Sequence, residues 1–446
     1  MQIRGLLVAA GLLILLGGGI WWSNRVSKEK ESKPAADASP KVLSIPDGDI
    51  RRIEVARREG EKTVLEKDAS GGWKITAPAS YPVDKQAVSS LVTAVANVSS
   101  DKVVEDKTAD AGQYGLVQPA LTLTLTLKDG KSKMLRVGDE APAGSAVYAS
   151  AAGDPHVYTI ASYTKESFNK TAADLRDKRM LTFDTEKVAR VTLAAQKTET
   201  EFGKNAQGEW QIVKPKPYRA DVFTADDMVR RLQDVKLDAA LSADDLKKNA
   251  AAFTSAAPLA VVTVTDAAGT QKLEIRKTKD DKYYARSSVV EGTYPLEATT
   301  AKIFDKATDE FRNKKLFDFG FVDPSRIDFH SAAVQTSVAK GGEKWFRNGK
   351  PLESASLQMF LDKLRDLSAT KFAETGFGAA TIDITVVSGD GKKTEKVGLS
   401  KSGQEWLARR EGEPSLYVVS AQSVDELQHA AADLKEEQAK PAAKKK

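Results

Sequence analysis

The chain contains no cysteine and only three histidines, His156, His330 and His429, in 446 residues. It can therefore form no disulfide, thiolate metal site or thiol nucleophile, and no cysteine-linked lipid anchor. The histidines are widely separated and none stands in an H-x-x-x-H or H-E-x-x-H setting, so a histidine zinc site or a Ser-His-Asp triad finds no support. No G-x-x-x-x-G-K-[ST] phosphate loop occurs, so the chain is not expected to hydrolyse ATP. Gly71-Gly72 and Gly341-Gly342 read as turns. The formal net charge of +5 is small for this length, which gives no reason to expect a nucleic-acid partner. A composition of 41% hydrophobic and 29% charged residues describes a foldable chain with a well-charged surface, long enough for about three domains.

The one long apolar run is Gly5 to Trp22, GLLVAAGLLILLGGGIWW. At 1.5 Å per residue it spans about 27 Å, enough to cross a bilayer core, and Trp21-Trp22 would sit at the headgroup boundary. A cleaved signal peptide is the rival. Its apolar region is usually shorter and closely followed by a small-x-small site, whereas Ala36-Asp37-Ala38 lies well past this run. The expectation is an uncleaved anchor over 1–24, a polar linker over 25–42 and a disordered basic tail over 435–446. Counting Lys and Arg alone, Arg25, Lys28, Lys30 and Lys33 would hold the following part in the cytoplasm.

Internal repetition is the main feature of the rest. Laid over itself so that Trp73 meets Trp210, the chain also aligns Ile75 with Ile212, Pro78 with Pro215, Tyr81 with Tyr218 and Asp84 with Asp221. A helical stripe follows: Val88, Leu91, Val92, Val95 and Val98 face Ala225, Met228, Val229, Leu232 and Val235. A third copy starts at Trp345 and repeats the stripe as Leu357, Phe360, Leu361, Leu364 and Leu367. This spacing predicts an amphipathic helix with one buried face. Strict alternation then predicts half-buried strands at Leu121-Leu123-Leu125, Ala260-Val262-Val264 and Ile382-Ile384-Val386. Asp129-Gly130, Ala268-Gly269 and Asp390-Gly391 read as hairpin turns. Two further strands and a closing helix follow, the helix marked by Phe168 and Leu175, Phe304 and Phe311, and Leu427 and Leu434. Each copy reads β-β-β-α-β-β-β-β-α. The predicted fold is α+β, with three tandem antiparallel sheets carrying helices on one face, over 43–181, 182–317 and 318–434.

The pattern Trp73-Lys74-Ile75, a Pro-containing loop, a helix, Tyr114-Gly115-Leu116 with Pro119, an alternating strand, Gly138-Asp139, Val147-Tyr148-Ala149 and Leu175-Arg176-Asp177-Lys178 resembles the domain-of-unknown-function 4340 family. The resemblance is clearest over about 43–183 and extends to the later copies; the third departs from it, with Gly376-Phe377-Gly378 in place of Tyr-Gly-Leu. It implies a single-pass protein of the bacterial inner membrane whose genes accompany ABC-type transporters of the gliding-motility type and their auxiliary extracytoplasmic subunits. The soluble part would then be periplasmic, against the Lys/Arg count.

No catalytic, cofactor-binding or metal-binding residue is assigned, and no enzyme activity or cofactor is expected. Asp244-Asp245 and Asp280-Asp281 read as solvated pairs, and the basic runs at 176–179 and 312–315 as cations at helix C-termini. Arg51-Arg52, Arg57-Arg58 and Arg230-Arg231 could form a basic face for phospholipid headgroups or polyanions. The expected function is a membrane-anchored, non-enzymatic accessory or scaffold protein offering long sheet edges to a transporter subunit. The alternative is an envelope protein binding polysaccharide or lipid in an aromatic pocket between modules, lined by Tyr283, Tyr284 and Trp406.

Overall fold

The computed structural model describes residues 40–107, 110–142 and 144–437. The anchor over 1–24, nearly all of the linker and most of the basic tail lie outside the described residues, and among the described residues no helix is long and apolar enough to cross a membrane. The chain divides into two compact units, one ending at Lys178 and one starting at Arg179.

The first unit contains β1 (Lys41–Ser44), β2 (Ile50–Arg57), β3 (Thr63–Lys67), β4 (Trp73–Ala77), α1 (Lys85–Ala96), β5 (Asn97–Ser99), β6 (Lys102–Glu105), β7 (Leu121–Leu127), β8 (Ser132–Glu140), β9 (Ala146–Ala151), β10 (Val157–Ala161), α2 (Ser162–Phe168) and α3 (Ala172–Leu175). Its sheet has eight strands in the order β4-β3-β2-β7-β8-β9-β10-β6, with β1 and β5 paired separately. The second unit repeats the plan twice. Its first sheet uses β11 (Arg190–Ala195), β12 (Thr198–Lys204), β13 (Trp210–Lys214), β14 (Tyr218–Arg219), β15 (Ala257–Asp266), β16 (Gly269–Lys277), β17 (Tyr283–Ser287) and β18 (Tyr294–Leu296), with α4 (Val222–Gln233), α5 (Ala243–Ser255) and α6 (Ala298–Phe304). Its second uses β19 (Arg326–Ser331), β20 (Gln335–Gly341), β21 (Lys344–Arg347), β22 (Lys350–Pro351), β23 (Lys371–Ala373), β24 (Ile382–Ser388), β25 (Lys393–Ser402), β26 (Glu405–Arg410) and β27 (Leu416–Val419), with α7 (Ser354–Asp366) and α8 (Ala421–Ala432). The orders are β14-β13-β12-β11-β15-β16-β17-β18 and β22-β21-β20-β19-β24-β25-β26-β27-β23. All ladders are antiparallel, as short turns between consecutive strands require. The α+β class with antiparallel sheets is thus realised in each copy, but the confinement of helices to one face is not. In the second copy α5 lies against the face opposite α4, its Phe253 stacked on Arg276 and Arg286.

The repeated apolar residues go inward. Ile53, Leu65, Leu91 and Leu123 share the first core, Val191, Phe202, Met228 and Val262 the second, and Ile327, Val338, Phe360 and Ile384 the third. Burying each large apolar side chain is worth roughly 1.5–3 kcal/mol, and period-2 strands facing a period-3.6 helix let every copy collect this gain on one side of its sheet. Trp210 and Trp345 are buried in separate cores, and Trp73 packs half-buried against the first. Asp84 and Asp221 start α1 and α4 by accepting backbone N–H groups from the first turn, while Glu353 before α7 makes no such bond.

Several details differ from the sequence reading. The last member of each stripe falls past its helix: Val98 is in β5, Val235 follows α4 and Leu367 ends α7 as its C-cap. All three remain buried, because the chain leaving the helix stays against the core. The closing helix is continuous only in the third copy; Phe168 ends α2 and Leu175 ends α3, with the turn at Asn169 between them. Strand β1 begins at Lys41 and buries Val42, inside the segment read as linker. The edges of the second unit's sheets are not long: β14 and β22 have two residues each and β18 and β23 three, whereas the first sheet ends in β4 with five and β6 with four. Short edges leave few free backbone groups for strand addition.

One backbone motif closes every copy. Asp84 and Asp177 donate their N–H groups to Leu175 and Pro82 (2.9 Å each), Asp221 and Asn313 to Phe311 and Arg219 (2.7 and 2.9 Å), and Glu353 and Glu437 to Lys435 and Pro351 (2.9 and 2.8 Å). The chain leaving the closing helix is thereby pinned beside the start of the crossover helix. This pinning also orders Lys435–Glu437, the first residues of the segment read as tail.

Candidate functional site

Within the second unit, the short strand β14 meets the end of β26 through charged side chains. Arg410 lies on the helix-bearing side of its strand and is nearly buried. It donates through Nε to Glu413 at 2.7 Å, through Nη2 to Glu395 at 3.0 Å, and through Nη1 to the Leu316 carbonyl. Arg219, from β14, places its Nε 2.9 Å from Glu413 and its Nη2 3.2 Å from the Tyr417 hydroxyl, and it donates to the Lys315 carbonyl. Tyr417 donates to Glu413 at 2.6 Å, and Glu395 accepts from the Asp318 N–H at 3.1 Å. Burial would push the Glu413 carboxyl up, but Arg219 and Arg410 outweigh it and hold the group below the usual glutamate range. Burial works against the Arg410 charge, yet Glu413 and Glu395 keep it firmly protonated. Tyr417 is pushed up, first by burial.

A third arginine completes this junction. Arg312 stacks 3.9 Å from the Tyr218 ring centre and 3.5 Å from that of Phe372, donates to Ser415 at 2.8 Å, and pairs with Asp309 at 2.9 Å. Arg176 sits in the same way 4.2 Å over Tyr81 in the first unit. The sequence reading of these runs as helix-dipole partners is therefore incomplete: the leading arginine of each is an aromatic-stacked, buried side chain. Planar guanidinium suits such stacking better than an ammonium.

Beside the junction, on the helix-free face of the third sheet, lies a groove of about 580 Å³, bounded by Phe377, Asp383, Lys396, Arg409 and Glu411 and reaching Arg410 and Glu413. Its roof is the segment Gly376-Phe377-Gly378. The Gly378 N–H donates to Ser400 at 3.2 Å, and Arg409 lies 4.5 Å over the Phe377 ring. Gly398 beneath has no room to spare, since a Cβ there would lie 3.1 Å from Ala380. In the first copy Tyr114-Gly115-Leu116 lies over the same kind of face. A Cβ on Gly138 would come within 2.0 Å of the Tyr114 carbonyl. Tyr114 donates to Glu105 at 2.6 Å, which pushes the phenol up to about 12. In the second copy α5 takes this place, with Phe253 between Arg276 and Arg286 at 4.7 and 4.3 Å. The inserts differ while the sheet beneath them is constant.

The groove offers both charge signs and an aromatic edge, which suits binding of a polar chain. The other residues singled out from sequence are dispersed. Asp245 closes the capping box of α5 with Ser242, and Asp244 pairs with Lys247 at 3.3 Å. Asp281 pairs with Lys277 at 2.7 Å. Arg52 is held by Glu54 and Glu66, and Arg231 faces Asp227. Tyr283 is buried in the second core, whereas Trp406 packs on the third, so they line different interiors and do not form one shared pocket. His156 contacts Asp154, which also accepts from Tyr158 at 2.6 Å; burial and Asp154 push this phenol up to about 12, far from a base at neutral pH. Among the described residues no group of three His, Cys, Asp or Glu side chains is placed to hold a metal ion.

The family described as Domain of unknown function (DUF4340) matches residues 73–209 and again 210–383. The chain belongs to this family. Both DUF4340 matches begin at a repeated tryptophan, Trp73 and Trp210, so the family register starts at the third strand of a sheet and runs into the next copy. No curated protein and no solved structure matches this DUF4340 chain.

Proposed function

We propose that this DUF4340 protein is a membrane-anchored, non-enzymatic accessory subunit, extracytoplasmic, of an ABC-type transporter complex. One observation carries the reading: the residues common to the copies are spent on three separate cores and their closures, while the copies differ in the inserts over the opposite face of the sheet, a loop in the first and third and the helix α5 in the second. Such a division belongs to a repeated scaffold with variable contact surfaces. The apolar run at Gly5 to Trp22 supports the anchor, and the family resemblance supports the transporter. In the second unit the short edges turn the contact away from strand addition and toward the inserts. Affinity purification of the full chain from native membranes in mild detergent should recover transporter subunits in fixed ratio, and recovery as a lone monomer would refute the reading. A second reading, binding of an envelope polysaccharide, is favoured by the mixed-charge groove under Phe377. Loss of polysaccharide binding in Arg409→Ala and Phe377→Ala, with the transporter contact kept, would select it.

A further inference from the structure

The repeat supplies its own control for finding residues that the fold does not need. Arg57 pairs across the ladder with Leu121. The equivalent positions are Ala195, opposite Ala260, and Ser331, opposite Ile382. Both are small and buried. On the closing helix Lys165 corresponds to the buried Ala301, since Phe168 corresponds to Phe304. Arg58 corresponds to Gln196. The first copy has thus placed three cations where the second, whose sheet shares the order of seven consecutive strands with the first, has two alanines and a glutamine.

These three side chains surround a cleft of about 330 Å³ that also includes Glu59, Leu121 and Asn169. Arg57 is fixed on its floor: Nε donates to Asn169 Oδ1 at 2.8 Å and Nη1 to the Glu61 carbonyl at 3.3 Å. Its Nη2 is shielded from solvent and has no acceptor among the described residues. Burial lowers the Arg57 pKa, only partly countered by Asp174, whose carboxylate is already engaged by Thr171. Arg58 is oriented by two bonds to the Gln118 carbonyl, at 3.0 and 2.6 Å, and by Asp139 at 3.3 Å. Lys165 is half-buried, and among the described residues no acceptor holds its ammonium group. An unanswered buried cationic donor is costly unless a ligand supplies the acceptor. The equivalent place in the second copy is also a cleft, of about 650 Å³, but it holds one cation, Lys197, beside Glu199 and Asp305, with Ala195 where the first copy has Arg57, and none of its side chains has a shielded polar atom lacking a partner.

The geometry points to an oxyanion-binding site in this cleft, formed by Arg57, Arg58 and Lys165, that takes a phosphate group. Two guanidinium groups and an ammonium group match a multiply charged tetrahedral anion better than a single carboxylate. The volume lies at the low end for small-ligand sites, with room for a phosphorylated headgroup or a small organic phosphate. The inference does not depend on the transporter reading. Glu59 at the rim limits the net charge and sets the site apart from a general basic patch.

The test uses the full chain in mild detergent, with Arg57→Ala and Lys165→Ala as variants. Each introduces the residue that the second copy already carries there, so folding is expected to survive, and circular dichroism checks it. Inorganic phosphate and glycerol phosphate are titrated by calorimetry against chloride and acetate at matched ionic strength. Flotation with phosphatidylcholine vesicles, with and without phosphatidic acid, forms the second arm. The expected result is phosphate-selective binding that falls at least tenfold in each variant. Response to the soluble phosphates identifies a free ligand, and response confined to phosphatidic acid vesicles identifies a lipid headgroup. Equal response to acetate, no binding in either arm, or unchanged binding in folded variants would overturn the assignment.

Discussion

Glu413→Gln tests whether charge holds the second and third sheets together. The substitution keeps the shape but removes the negative charge shared by Arg219 and Arg410. A hydrogen bond to a charged group is worth about 1.5–3 kcal/mol and a neutral one about 0.5–1.5, so the Arg410 bond loses about 1 kcal/mol. Arg219, which pairs with Glu413 without a hydrogen bond through Nε, loses its counter-charge at a further cost of about 1 kcal/mol. The amide also turns an N–H group toward one guanidinium. The expected loss is about 2–3 kcal/mol, below the roughly 3–5 kcal/mol of a fully buried broken pair, because Glu413 retains 18% of its side-chain exposure. The sign of the pH dependence follows from the depressed carboxyl. The stabilisation is complete above the unfolded-state value of about 4.3 and is lost as pH falls through the lower folded-state value. Urea denaturation of the full chain, with hydrogen exchange read on residues 405–419, should show the wild type exceeding the variant at pH 7 and the gap closing toward pH 3. A gap under about 0.5 kcal/mol at pH 7, or one that persists unchanged at pH 3, would refute the argument.

Two further outcomes are expected. Gly138→Ala forces a Cβ to within 2.0 Å of the Tyr114 carbonyl, so the 110–120 segment must lift. A loss of about 1–3 kcal/mol and faster limited proteolysis there are expected, and unchanged cleavage would count against the close approach. Asp84→Ala and Asp221→Ala each remove a helix cap and should cost about 1 kcal/mol, whereas Glu353→Ala removes none. Equal costs at all three positions, measured by chemical denaturation, would show that capping is not the cause.

The periodicities alone determined the repeated unit. Alternation at Leu121-Leu123-Leu125 and the stripe at Val88, Leu91, Val92 and Val95 report one buried face each, because side-chain direction follows backbone period whatever the distant contacts are. Helix starts were legible at Asp84 and Asp221, where the cap is local. The candidate site was not legible. Arg219, Arg410 and Glu413 look in sequence like solvated surface charge, nothing local distinguishes them from Arg51 or Glu411, and Arg312 reads only as a cation at a helix C-terminus. They become neighbours only because the pinned segment after α6 brings β14 against β26, so their partners are remote in sequence. Arg57-Arg58 was legible as a basic pair, but Lys165 was not, and the two share a cleft only when α2 closes over the end of β2. Local period decides which face is inside, but only the packed sheets and helices decide which charges share a space, since that depends on contacts between residues far apart along the chain.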